Sequence, residues 1–167
     1  MSPLSVRLAK LDGDLQQAIA ARIQSEQEQG RDVVFVTTNL PARSLRPLLE
    51  GGGAQAERLH VVDAITPRAK AEELNQTTFV GSPTMLELIG MRAERVARHV
   101  GQAHIMVCCL NTLRMYNDAN DVDRFMHYLA SRVQSFDLSI EFIVRPGPDA
   151  EELADRAQRL LEPLAKT

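Results

Sequence analysis

Apolar positions along the chain alternate between two rhythms, one helical and one of short unbroken runs. Over residues 15–29, Leu15, Ala18, Ile19 and Ile23 recur at helical spacing, and Gly30 supplies a stop. Val33, Val34, Phe35 and Val36 then form a continuous β-branched and aromatic run ending in Thr37, Thr38 and Asn39, as a strand buried on both faces would. Ser44 can cap a short helix through Leu45, Leu48 and Leu49, with Pro47 in its first turn and Gly51 to Gly53 closing it. Residues 59–62 read as a second strand with Asp63 at its end, followed by a polar connection over 66–77 and a short extended piece at 78–80. Ser82 and Pro83 open a helix whose Met85, Ile89, Ala93, Val96 and Val100 lie on one face. Residues 104–110 predict a third buried strand. After a turn, Val122, Phe125, Met126, Leu129 and Val133 mark another helix. A last strand over 138–144 precedes a terminal helix with Pro148, Asp149, Glu151 and Glu152 at its start and Leu153, Ala157, Leu160, Leu161 and Leu164 on its buried stripe.

Strands that are apolar on both faces and alternate with helices predict an α/β fold, a three-layer α/β/α sandwich around a mainly parallel sheet. A length of 167 residues suits one domain over 1–167. Composition narrows the function classes. With 44% hydrophobic and 25% charged residues, a net charge of -3 and only 4% aromatics, the chain lacks the basic face and stacking platforms of a nucleic-acid binder. It has neither a signal-peptide pattern nor the roughly 20-residue apolar run of a membrane span, so a cytoplasmic location is expected. Its two cysteines, Cys108 and Cys109, are adjacent; strand alternation would point them to opposite faces, which fits a reducing compartment better than a disulfide.

In parallel α/β sheets, functional groups gather beyond the carboxyl ends of the strands. That rule selects Thr37 to Asn39, Asp63 and Cys108 to Thr112. These segments, VVFVTTNLP at 33–41, RLHVVDAIT at 58–66 and IMVCCLNTLRMYND at 105–118, together resemble the core of RecA/KaiC-like ATPases, in chain order and over residues 6–144. The third resembles the Walker B strand and the segment after it. The resemblance implies a P-loop-NTPase-like fold in which residues 6–8 form the first strand, 15–29 the helix after the phosphate-binding loop, and 10–16 the loop itself.

The chemistry such a loop needs is missing there. A working loop reads G-x-x-x-x-G-K-[ST], because backbone N–H groups cradle phosphates, lysine neutralises them and the hydroxyl holds magnesium. Residues 10–16 keep only Gly13, lack the Lys-Ser/Thr pair and add Asp12 and Asp14. The magnesium-holding Asp aligns with Cys108, whose thiol is a poor ligand for a hard cation. Thr38 and Asn39 stand where the family places its water-activating Glu, and neither is a base near neutral pH. The resemblance therefore implies a pseudo-ATPase with no catalytic residues and no cofactor, a regulatory, sensory or scaffolding module that self-associates or docks on a protein partner. The alternative is a nucleotide or small-ligand binder using Thr38, Asn39, Asp63, Asn111 and Thr112.

Other candidates have plainer readings. His104 with Cys108 and Cys109 lacks the four convergent ligands of a zinc site, and His60, His99 and His127 have no metal-spaced partner, so no metal is expected. Arg92, Arg95 and Arg98 share their helix with Glu87 and Glu94, the pattern of a solvated, partly paired face with partner docking as a secondary role.

Overall fold

The computed structural model describes residues 5–165. Six strands, β1 (Val6–Lys10), β2 (Asp32–Thr37), β3 (Leu59–Asp63), β4 (Thr77–Phe79), β5 (Ala103–Cys108) and β6 (Ser139–Val144), form one sheet in the order β1-β6-β5-β2-β3-β4. Every neighbouring pair is parallel. The helices are α1 (Leu15–Glu28), α2 (Ala42–Gly51), α3 (Leu86–Val100), α4 (Leu110–Tyr116), α5 (Ala119–Ser135) and α6 (Ala150–Ala165).

Two apolar layers sandwich the sheet. On one face, Ile19, Ala20 and Ile23 of α1 and Leu45 and Leu49 of α2 pack on Val33, Phe35, Val61, Met106 and Ile143. On the other, Ile89 and Ala93 of α3, Leu113 of α4, Val122 and Leu129 of α5 and Leu161 of α6 cover Val34, Val36, Ile105, Val107, Ile140 and Phe142. Alternation along each strand assigns these residues to the two faces, which is why the central strands are apolar throughout. The expected three-layer, parallel α/β architecture is thus present.

Local chemistry sets the element ends. Asp14 caps α1 by accepting the Gln17 N–H at 3.2 Å, and Asp118 caps α5 by accepting the Asp121 N–H at 2.9 Å. Gly13 turns the chain between β1 and α1 at φ +75°, a conformation that suits glycine.

Several expected boundaries move. α2 begins at Ala42 after Pro41, so Ser44 lies inside the helix and Pro47 stands beyond the first turn. α3 begins at Leu86, and Met85 is its exposed N-cap instead of part of the buried stripe. β5 stops at Cys108, and the expected turn after it is a helix of its own, α4, opened by Leu110. No helix among the described residues is long and apolar enough to cross a membrane.

Candidate functional site

The connections fix where a site on this sheet would form. β1 and β2 lead into helices on one face, whereas β5 and β6 lead into helices on the other. Because β6 lies beside β1 and β5 beside β2, the topology switches twice along the carboxyl edge, at β1/β6 and at β5/β2. Parallel sheets bind ligands in such crevices, where the outgoing segments part.

At the β5/β2 switch the crevice is stitched by Thr38. Its N–H donates to the Cys108 carbonyl at 3.0 Å, its hydroxyl donates to the same oxygen at 2.9 Å, and that hydroxyl accepts the Cys109 N–H at 2.9 Å. Thr38 is fully buried. Asn39, next in sequence, is exposed. Asp63 at the end of β3 is also fully buried, and its carboxylate accepts the Ala42 N–H at 2.9 Å, the Ile65 N–H at 2.9 Å, the Thr66 N–H at 2.8 Å and the Thr66 hydroxyl at 2.7 Å. It anchors the start of α2 and the turn after β3 together.

At the β1/β6 switch, the Leu11 N–H donates to the Val144 carbonyl at 3.0 Å, and the Leu11 side chain is buried. Only Leu11, Asp12, Gly13 and Asp14 connect β1 to α1. Asn111 of α4 bridges to the next segment, accepting the Arg145 N–H at 2.9 Å and donating to the Arg145 carbonyl at 3.2 Å. Beside it lies a cavity of about 210 Å³ lined by Asn111, Arg114, Met115, Asp149, Glu152 and Arg156. Thr112 is buried with its hydroxyl 3.6 Å from Cys109 Sγ. The strand ends therefore bring Thr38 and the Cys109–Thr112 segment together, hold Asp63 and Asn111 in separate networks, and leave Asn39 outside them.

The two cysteines depart from the strand expectation. Cys109 has left β5 and stands at the N-cap position of α4 without a side-chain capping bond, so alternation no longer separates it from Cys108, and both residues lie in the same apolar cluster. Both are free and buried. The hydrogen bond between them pushes Cys109 down from the usual thiol range and Cys108 well up, and burial adds to the rise at Cys108.

The densest polar cluster lies at the opposite end of the sheet, beneath α1. Glu141 of β6 is fully buried; its carboxylate accepts from His104 Nε2 at 2.7 Å and from Arg22 Nε at 2.7 Å, with Arg7 at 3.5 Å. His104 Nδ1 meets the Ser139 hydroxyl at 2.7 Å, and Glu26 pairs with Arg31 at 2.8 Å and Arg7 at 3.4 Å. Burial alone would raise the Glu141 carboxyl, but the hydrogen bond and charge of His104, with Arg22, more than offset it and leave it below its ordinary value. Glu26 follows the same pattern, with burial outweighed by Arg31, His104 and Arg7. Charges interrupting apolar strands, such as Glu141 within SIEFIV, were the sequence signal for this cluster. Among the described residues, no three His, Cys, Asp or Glu side chains converge as a metal site.

The architecture is similar to that of the crystal structure of the KaiC-like protein PH0186 from the hyperthermophilic archaeon Pyrococcus horikoshii OT3, with a TM-score of 0.61 at 15% identity, over 90% of this chain and 69% of that one. At that identity the likeness establishes the fold, a KaiC/RecA-like one. No curated protein matches the sequence. The model of the family of unknown function DUF7504 matches residues 9–165, and the chain belongs to that family.

Proposed function

We propose that this chain is a non-catalytic KaiC-like domain, a regulatory, sensory or scaffolding module that works through protein–protein contacts, by self-association or on a partner. The observation that carries the reading is the closed turn between β1 and α1. Four residues make the connection, too few for the six-residue G-x-x-x-x-G arc that precedes the lysine of a phosphate-binding loop. The first turn of α1 is occupied by the chain's own carboxylate at Asp14, and Asp12 adds a second negative charge where a polyphosphate would sit. The thiol aligned with the magnesium-holding Asp, Cys108, is buried and held protonated. Thr38, in the position of the water-activating residue, is fully engaged with β5.

A second reading, a nucleotide or small-ligand binder, draws support from the cavity beside Asn111. Its volume of about 210 Å³ lies below the roughly 300 Å³ at which small-molecule pockets begin, and Thr38 and Asp63 are sequestered from it. One pair of measurements separates the readings. With millimolar ATP and magnesium, the module reading expects no turnover above a no-protein blank and a melting temperature unchanged within 1 °C, on the order of experimental error. A ligand bound at 100 times its Kd would add about 2.7 kcal/mol of stability, a shift of several degrees. Saturable ATP hydrolysis, abolished by Asn39→Ala, would overturn the proposal.

A further inference from the structure

The faces of α3 and α5 that turn away from the sheet enclose an open groove of about 960 Å³, lined by Met85, Leu88, Met91, Asp121, Phe125 and Tyr128 among others. Met91 is 57% exposed, Met85 42% and Tyr128 37%, so large apolar side chains face water along one channel. Its floor is ordered. Gly90 lets the Tyr128 ring lie against the α3 backbone, since a Cβ there would sit 3.2 Å from Tyr128 Cε2, and the Tyr128 hydroxyl donates to Glu94 at 2.8 Å. A methionine-lined trough between two helices is the form in which an amphipathic helix is received, the flexible thioethers adapting to its side chains.

The charge along the groove indicates what kind of helix. Past the end of the groove's lining, Arg95 follows Met91 by one turn of α3, Arg98 lies on the next turn, and Arg132 follows Tyr128 by one turn of α5. Arg98 and Arg132 share one carboxylate: Glu94 is buried, pairs with Arg132 at 2.6 Å, approaches Arg98 at 4.0 Å and already accepts from Tyr128, while Arg95 is exposed one turn from Met91. Arg98 also stacks over the Phe136 ring at 3.9 Å. At the other end, Asp121 is paired with Arg124 and Glu87 adds an acid. The groove therefore runs from a balanced or acidic entrance to an excess of positive charge, in a chain whose net charge is -3.

We infer that the α3/α5 groove is the docking site for an amphipathic helix of a partner protein, its apolar stripe seated on Met85, Met91 and Tyr128 and its acidic end over Arg95, Arg98 and Arg132. This rests on the protein–protein reading above and names the surface and the partner chemistry.

The test uses the full chain carrying 13C-methyl methionine and two synthetic 18-residue helical peptides. Each has leucine at i, i+3, i+4 and i+7, with glutamate at the remaining positions in one and lysine in the other. The glutamate peptide should shift the Met85 and Met91 methyl signals and leave the buried Met106 unmoved, with at least a fivefold preference over the lysine peptide. Arg95→Glu should weaken the glutamate peptide and narrow or invert that preference, and Met91→Ser should weaken both. Equal binding of the two peptides, no shift at millimolar peptide, or shifts confined to other methionines would overturn the inference. So would a concentration-dependent dimer, seen by light scattering, that Met91→Ser dissociates, since a second copy would then own the groove. No nucleotide is present, so these outcomes are independent of the ATP measurements that decide the module reading.

Discussion

Replacing Glu141 by glutamine changes one atom's identity in a fully buried side chain and removes the anion around which two arginines and a histidine are arranged. In the native cluster the carboxylate accepts two bonds of 2.7 Å, from His104 and Arg22, and has Arg7 at 3.5 Å. The amide can accept on one atom only, and its NH2 group confronts a donor. Removing one partner of a buried ion pair costs about 3–5 kcal/mol. Arg22 and Arg7 are 35% and 30% exposed and can turn toward water, whereas His104 is fully buried and cannot, which favours the lower end, about 3 kcal/mol. For a chain of this size that is a fall in melting temperature of about 6–12 °C.

The pH dependence gives a sharper signature. Glu141 is depressed in the folded state below its unfolded value of about 4.3, so its contribution is complete above that value and is lost as pH falls through the folded one. Urea unfolding of Glu141→Gln against the native chain should show the full gap at pH 7 and a shrinking gap below about pH 4. A gap under about 1 kcal/mol at pH 7, or one that stays constant down to pH 3, would refute the view that this cluster is held by the Glu141 charge.

Two further substitutions test the carboxyl edge. Asp63→Ala strips the partner from the Ala42, Ile65 and Thr66 N–H groups and should cost about 3 kcal/mol by urea unfolding, with faster limited proteolysis between β3 and β4. Thr38→Val keeps the shape but leaves the buried Cys109 N–H without its acceptor, for a loss of about 1–3 kcal/mol; a neutral result would mean the stitch between β2 and β5 contributes little.

The layer architecture was legible because Val33 to Val36, Val61 and Val62, and Ile105 to Val107 are apolar at every position, which only a sheet covered on both faces requires. α4 was not, because Leu110 extends the apolar run of β5 by one residue type while belonging to the next element, and Asn111 and Thr112 carry turn propensity until tertiary contacts fix them as helix. Met85 misled for a related reason: helical periodicity identifies a stripe, but the start of α3 decides whether its first member faces the sheet or water. Among the candidate site residues, Asp63 ends β3 and Thr38 directly follows β2, positions that the apolar runs before them indicate, yet their partners were hidden. Asp63 binds backbone groups up to 21 positions earlier, and Thr38 reaches across 71 positions to Cys109. Such bonds depend on strand order, which places β5 beside β2 although α2, β3, β4 and α3 separate them in sequence, and no local pattern encodes it.

Strand order also explains why the exposed chemistry of this chain sits on helices. Both topological switches are places where diverging connections would ordinarily leave a crevice, and at each the divergence is bridged by short bonds, Thr38 to Cys108 and Cys109 at one and Leu11 to Val144 at the other. At the amino ends of the strands, the charged groups are drawn inward around Glu141 and Glu26 beneath α1. What remains exposed, large and apolar lies mainly on and beside the outer helix layer, at Met85, Met91, Met115, Tyr116 and Tyr128. The water-facing parts of methionine and tyrosine side chains bury no area in an isolated domain, and a contiguous patch of them raises its tendency to associate. Met85, Met91 and Tyr128 gather along α3 and α5 next to arginines, and a fold with closed strand ends therefore carries its largest exposed apolar groups on the surface proposed above for docking.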